Sequence, residues 1–202
     1  RYEVTLEPSN RPWLLTLDVA ADAPELPANQ RARMTADMQW LTYRPITDLL
    51  RYRAQSHPQF RYGLTGWDKR PRRDFSPDLQ LPPGFNPRTR ALGEQLRAAA
   101  GRADDIPALA IRHFRDSRLA YTLTHAPLGR DDVDSFLFDT RQGFCEHFAA
   151  AFVVTMRAAG VPARVVTGYQ GGEPNPVDGT FVVRQSDAHA WAEVWLAGRG
   201  WI

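Results

Sequence analysis

The chain is 202 residues long, with 43% hydrophobic and 24% charged residues and a formal net charge of +2. That length and apolar content suit one generous domain, or a compact domain with a smaller companion, around a sizeable core. The near-balanced charge gives no ground for a nucleic-acid partner, and a single cysteine excludes an internal disulfide.

The first third reads as β. Tyr2, Val4 and Leu6 alternate with polar residues, as do Trp13, Leu15, Leu17 and Val19, then Met34, Ala36, Met38 and Trp40. Ile46, Leu50 and Tyr52 continue the pattern, with Arg51, Arg53 and Gln55 on the opposite face. Residues 1–66 are therefore expected to form a small antiparallel β region. A Pro- and Arg-rich linker follows over 67–87, containing Lys69-Arg70-Pro71-Arg72-Arg73, which reads as a solvated charged loop rather than a lipid contact.

Helical signals begin at Asn86-Pro87, an N-cap followed by proline, and Leu92 and Leu96 carry the apolar spacing to Gly101. Asp104 or Asp105 caps the next helix, with Ile106, Leu109, Ala110, His113 and Phe114 on one stripe. Asp132 caps a short helix bearing Val133, Phe136 and Leu137. The cluster Asp131, Asp132 and Asp134 lacks the spacing and glycine of a calcium loop, so capping is its expected role.

The last third carries the chemistry. Cys145, Ala149, Phe152 and Met156 fall on one face of a helix that Gly160 and Pro162 end. Gly143 is expected to supply a flexible turn that sets Cys145 in the first helical turn. A thiol there feels the positive end of the helix dipole and unpaired N–H groups, which favour the thiolate and a developing oxyanion. Ala163 to Tyr169 and Asp187 to Leu196 read as strands. In the second, His189, Trp191, Glu193 and Trp195 share a face, and that face is expected to pack on the helix and bring His189 to the thiol. A zinc site built from Cys145, His147, His189 and Asp187 has no supporting ligand spacing.

Four stretches together resemble the transglutaminase-like superfamily: Arg141-Gln142-Gly143-Phe144-Cys145-Glu146-His147-Phe148-Ala149, Gly160-Val161-Pro162-Ala163-Arg164, Val166-Thr167-Gly168-Tyr169, and Asp187-Ala188-His189-Ala190-Trp191-Ala192-Glu193-Val194-Trp195. The wording around Cys145 is most similar to the periplasmic domain of TgpA-type bacterial inner-membrane proteins. The resemblance implies an α+β fold: a papain-like core over 88–202, with the cysteine helix packed on an antiparallel sheet, truncated at its C-terminal end and preceded by the β region.

It implies Cys145 as nucleophile and His189 as general base and acid. An orienting Asp is expected just after Ile202, so it does not lie in this chain. Gln142, Trp191 and Asp187 are possible supporting residues; Glu193 is expected to be a polar neighbour and His147 structural. The expected reaction is acyl transfer on glutamine-type amides through a thioester. A cysteine peptidase or amidase, or a catalytically dead binding module, are the alternatives. The partners implied are a protein or peptide amide donor and an amine acceptor, with no cofactor and no metal. The whole protein is expected to be membrane-anchored and this piece soluble and periplasmic. The loop from Gly171 to Gly179 is the expected substrate gate.

Overall fold

A computed structural model describes residues 1–57, 59–64, 74–124 and 127–202. The expected basic run Lys69–Arg73 lies outside the described residues. The chain divides into two compact units, Arg1–Phe60 and Arg61–Ile202.

The first unit is all β. β1 (Tyr2–Leu6) pairs antiparallel with β5 (Leu50–Ala54), while β2 (Trp13–Leu14), β3 (Ala32–Met34) and β4 (Trp40–Thr42) form a second sheet in the order β2-β4-β3. The alternation in β5 buries Leu50, Tyr52 and Ala54 and leaves Arg51 and Arg53 in solvent. Leu14, Ala20, Trp40, Ile46, Leu50 and Tyr52 make the core. The run from Met34 to Trp40 is not one strand. Met38 takes φ +61° and Thr35 N–H donates to the Gln39 carbonyl, so the segment turns back on itself as a hairpin. Leu15 to Val19 likewise leaves the sheet, with Leu17 exposed.

The second unit begins with the short α1 (Ser76–Leu79), then α2 (Pro87–Ala99), α3 (Ile106–Asp116), β6 (Ala120–Tyr121) and α4 (Asp132–Asp134), which runs on as a π-helical turn over Ser135–Thr140. Then come β7 (Gln142–Gly143), α5 (Cys145–Ala158), β8 (Ala163–Tyr169), β9 (Glu173–Pro174), β10 (Phe181–Val182), β11 (Ala188–Leu196) and β12 (Gly200–Trp201). The central sheet has the order β12-β11-β8, all antiparallel. α5 packs on it through Val153, Met156 and Ala159 against Ala163, Val194 and Leu196, joined by Ile106 and Ala110 of α3. Each large apolar side chain buried there contributes roughly 1.5–3 kcal/mol. On the other side of α5, α2 approaches closely: a Cβ at Gly93 would lie 2.5 Å from the Ala158 Cβ and 2.7 Å from the Thr155 carbonyl. Gly160, at φ +76°, ends α5 as the pattern predicts.

Asn86 departs from its expected role. It occupies the N-cap position of α2, but its side-chain oxygen accepts from Val133 N–H (3.1 Å) and Asp134 N–H (3.2 Å), at the start of α4. The α2 N-terminus is capped from the other helix: buried Asp134 accepts from Arg88 N–H (2.9 Å), Thr89 N–H (2.8 Å) and the Thr89 hydroxyl (2.6 Å). Asp131 accepts from Asn86 N–H at 2.7 Å. Two helix starts thus cap each other, which gives the aspartate cluster its structural purpose.

Candidate active site

The route into Cys145 is set by Arg141, not by Gly143. Arg141 N–H closes the π-helical turn on the Phe136 carbonyl, and Arg141 itself takes the left-handed conformation at φ +54°. That reversal turns the chain into β7, which pairs parallel with β6 and leads straight into α5. Gly143 is buried and has ordinary backbone. Its missing side chain leaves room for the His147 ring, whose Cγ would lie 2.8 Å from a Cβ at 143. His147 Nδ1 accepts the Phe144 N–H at 3.2 Å, so its proton sits on the other nitrogen. The ring also packs against Phe136 and Phe144. His147 is therefore the clamp on the turn preceding Cys145.

Cys145 is the first residue of α5 and is partly exposed. That position sets the thiol at the positive end of the helix dipole. A cleft of about 300 Å³ opens beside it, lined by Cys145, Phe148 and Phe152 of α5, by Phe114 and Tyr121, and by His189 to Ala192 of β11. Tyr121 stacks on Phe148 (6.1 Å between centroids), and Phe114 meets Phe152 edge-on at 6.1 Å. Five of the ten lining residues are aromatic, and Cys145, His189 and Tyr121 are the ionisable ones.

The structure brings Cys145, His189 and Trp191 together on one cleft. The expected strand face is different, however. Val194 and Leu196 pack against α5, so the even-numbered residues of β11 face the helix. His189 lines the cleft from the opposite set, near the first residue of the strand. Farther along that set, Glu193 pairs with Arg164 (2.7 Å), and the Trp195 indole donates to the Gly63 carbonyl (2.7 Å) and packs on Phe75. Glu193 is a polar neighbour held by its own partner.

Gln142 is exposed in β7 and does not line the cleft. Asp187 closes the turn before β11, its carboxylate accepting the Arg184 N–H at 2.7 Å. The segment expected to gate the site forms a hairpin, β9 paired with β10, whose turn is closed by Asn175, Asp178 and Thr180. The Asp178 carboxyl is held below its ordinary range by hydrogen bonds from Thr180. The hairpin leaves the sheet at Tyr169, opposite Ala188, one residue from His189. The aromatic walls contributed by Phe114 and Tyr121 were missed from sequence; Phe114 read only as part of an apolar stripe. Among the described residues, no group of three or more His, Cys, Asp or Glu could hold a metal ion.

A family model described as the transglutaminase-like superfamily matches residues 90–202, and one described as the TgpA N-terminal domain matches residues 1–63. A Pseudomonas aeruginosa protein named protein-glutamine gamma-glutamyltransferase is 43% identical over all of this chain, which spans 29% of that relative's length. YebA of Bacillus subtilis is 32% identical over 61% of the chain and 18% of its own length. The crystal structure of the periplasmic domain of TgpA from Pseudomonas aeruginosa, bound to ethylmercury, superposes with a TM-score of 0.86 at 41% identity. It covers 99% of this chain and 69% of that one. The α+β architecture, with the cysteine helix on an antiparallel sheet, is that of the papain-like fold.

Proposed function

The chain belongs to the transglutaminase-like superfamily, and on that premise we propose that it transfers acyl groups from glutamine-type amides through a thioester on Cys145. The observation that carries this reading is the shared cleft: a thiol at a helix N-terminus and an imidazole on the neighbouring strand, between aromatic walls.

The Cys145 thiolate adds to the amide carbon, and the carbonyl oxygen becomes an oxyanion facing the first-turn amides of α5. His189, protonated, gives its proton to the departing nitrogen, and ammonia leaves as the C–N bond breaks. An amine then attacks the thioester carbon, His189 takes its proton, and Cys145 departs as thiolate. Water in place of the amine gives hydrolysis. Aromatic walls disfavour water at the thioester, which supports transfer to an amine.

The name of the Pseudomonas aeruginosa relative supports glutamine as donor. The match to the periplasmic domain of TgpA supports a periplasmic location for this chain, and we propose that it is a domain of an inner-membrane protein. Among the described residues no helix is long and apolar enough to cross a membrane. The TgpA periplasmic domain also binds ethylmercury, a thiol-directed reagent, and Cys145, the only thiol in this sequence, is the expected target of such a probe.

The test is mass spectrometry of a glutamine-containing peptide incubated with a primary amine and the full-length protein. Amine-linked peptide that disappears with Cys145→Ala is the expected result. Deamidated peptide alone would assign a hydrolase instead, and no product would leave a binding module.

A further inference from the structure

Gly168 is the last but one residue of β8, still within its ladder with β11, where glycine weakens pairing and packs nothing. Its backbone gives no reason for glycine, since it does not adopt the left-handed conformation. The reason is a neighbour: a Cβ at position 168 would lie 2.9 Å from Cη2 of Trp191 and 3.3 Å from its Cζ3. In the β8–β11 register, Gly168 is opposite His189, and Trp191 is opposite Val166. Directly opposed residues of antiparallel strands point to the same face. The Trp191 ring therefore runs diagonally across β8 into the space where the side chain facing His189 would stand.

We infer that Gly168 is a positioning residue: it seats Trp191 as a backstop that keeps the His189 imidazole from folding back across the sheet, leaving it directed to the Cys145 cleft. The inference rests on the assignment of His189 as the acid and base. Steric exclusion is sufficient for the role. A side chain at 168 displaces the ring, and the displaced ring either presses on His189 or leaves it free to turn away.

A double-variant cycle on the full-length protein tests this, reading the rate at which iodoacetamide alkylates Cys145 at pH 6, with the melting temperature followed in parallel. Gly168→Ala is expected to slow alkylation about tenfold, the scale of a small misplacement of a catalytic group. Trp191→Phe removes the ring atoms that a methyl at 168 would strike. In that background Gly168→Ala should change the rate less than about twofold, a non-additivity expected of directly touching residues. Amine transfer should follow the same pattern, with the hydrolysed share of product rising in Gly168→Ala alone.

Unchanged alkylation in Gly168→Ala, or equal losses in both backgrounds, overturns the inference. If Gly168→Ala alone does not fold, the double variant must recover fold and rate together, and failure to do so is equally fatal. If the coupling holds in alkylation but no variant, nor the parent, joins peptide to amine, the seat stands and the transferase reading fails.

Discussion

His147 lies two residues from Cys145 and reads as structural from the sequence, whereas His189 is the expected acid and base. The structure separates the two by their surroundings. His147 accepts a backbone N–H within its own turn, while His189 lines the cleft. His147→Ala should cost about 1 kcal/mol, the typical worth of a lost helix cap, lowering the melting temperature by roughly 2–4 °C. A calorimetric scan showing no change would contradict the clamp. Glu193→Gln makes the complementary case. It weakens a partly buried pair with Arg164, so it should reduce stability by about 1 kcal/mol and leave the rate of amine transfer within about twofold. Cys145 and His189 were legible as cleft residues because the stretches that carry the family resemblance contain them. The aromatic walls were not, because Phe114 and Tyr121 lie 31 and 24 residues before Cys145 and nothing local distinguishes a cleft wall from a core stripe.

At the scale of elements, the site depends on helix starts more than on helix interiors. α2 and α4 cap each other through Asn86 and Asp134, and the π-helical turn after α4 delivers Arg141, then β7, then Cys145. Asp134 accepts three hydrogen bonds while buried, so Asp134→Ala strands three donors away from water. It should destabilise the second unit by roughly 2–4 kcal/mol, read as a shift in the urea midpoint with an unchanged slope. A shift below about 1 kcal/mol would mean that water replaces the carboxylate. Capping was legible at Asn86 and at the aspartates as residue types. Which helix each one caps was not, since the bonds join residues 45 to 48 positions apart. Strands β1, β5, β8 and β11 followed their alternation closely. The Met34–Trp40 segment did not, because a two-residue period cannot distinguish a strand from a tight hairpin that keeps the same alternation.

The whole molecule combines an all-β unit and an α+β unit, each with its own core. They can be probed separately, since the first holds Tyr52 and the second the thiol. Burial pushes the Tyr52 phenol well above its ordinary value of 10.0, and its hydroxyl donates to the Leu15 carbonyl. A raised folded value means that the unfolded chain loses this proton first as pH rises. The stability linked to Tyr52 is therefore fully present below about pH 10 and falls progressively above it. Tyr52→Phe should flatten that alkaline loss in urea titrations that follow the first unit; an unaltered slope would show that Tyr52 ionises freely when folded. The central claim concerns the other unit, that His189 activates Cys145 for acyl transfer. Its most direct test is the rate of Cys145 alkylation at pH 6 in the full-length protein, compared with His189→Ala. The account predicts a rate at least about tenfold higher with His189 present, as expected of an imidazole-paired thiol; equal rates in the two proteins would contradict it.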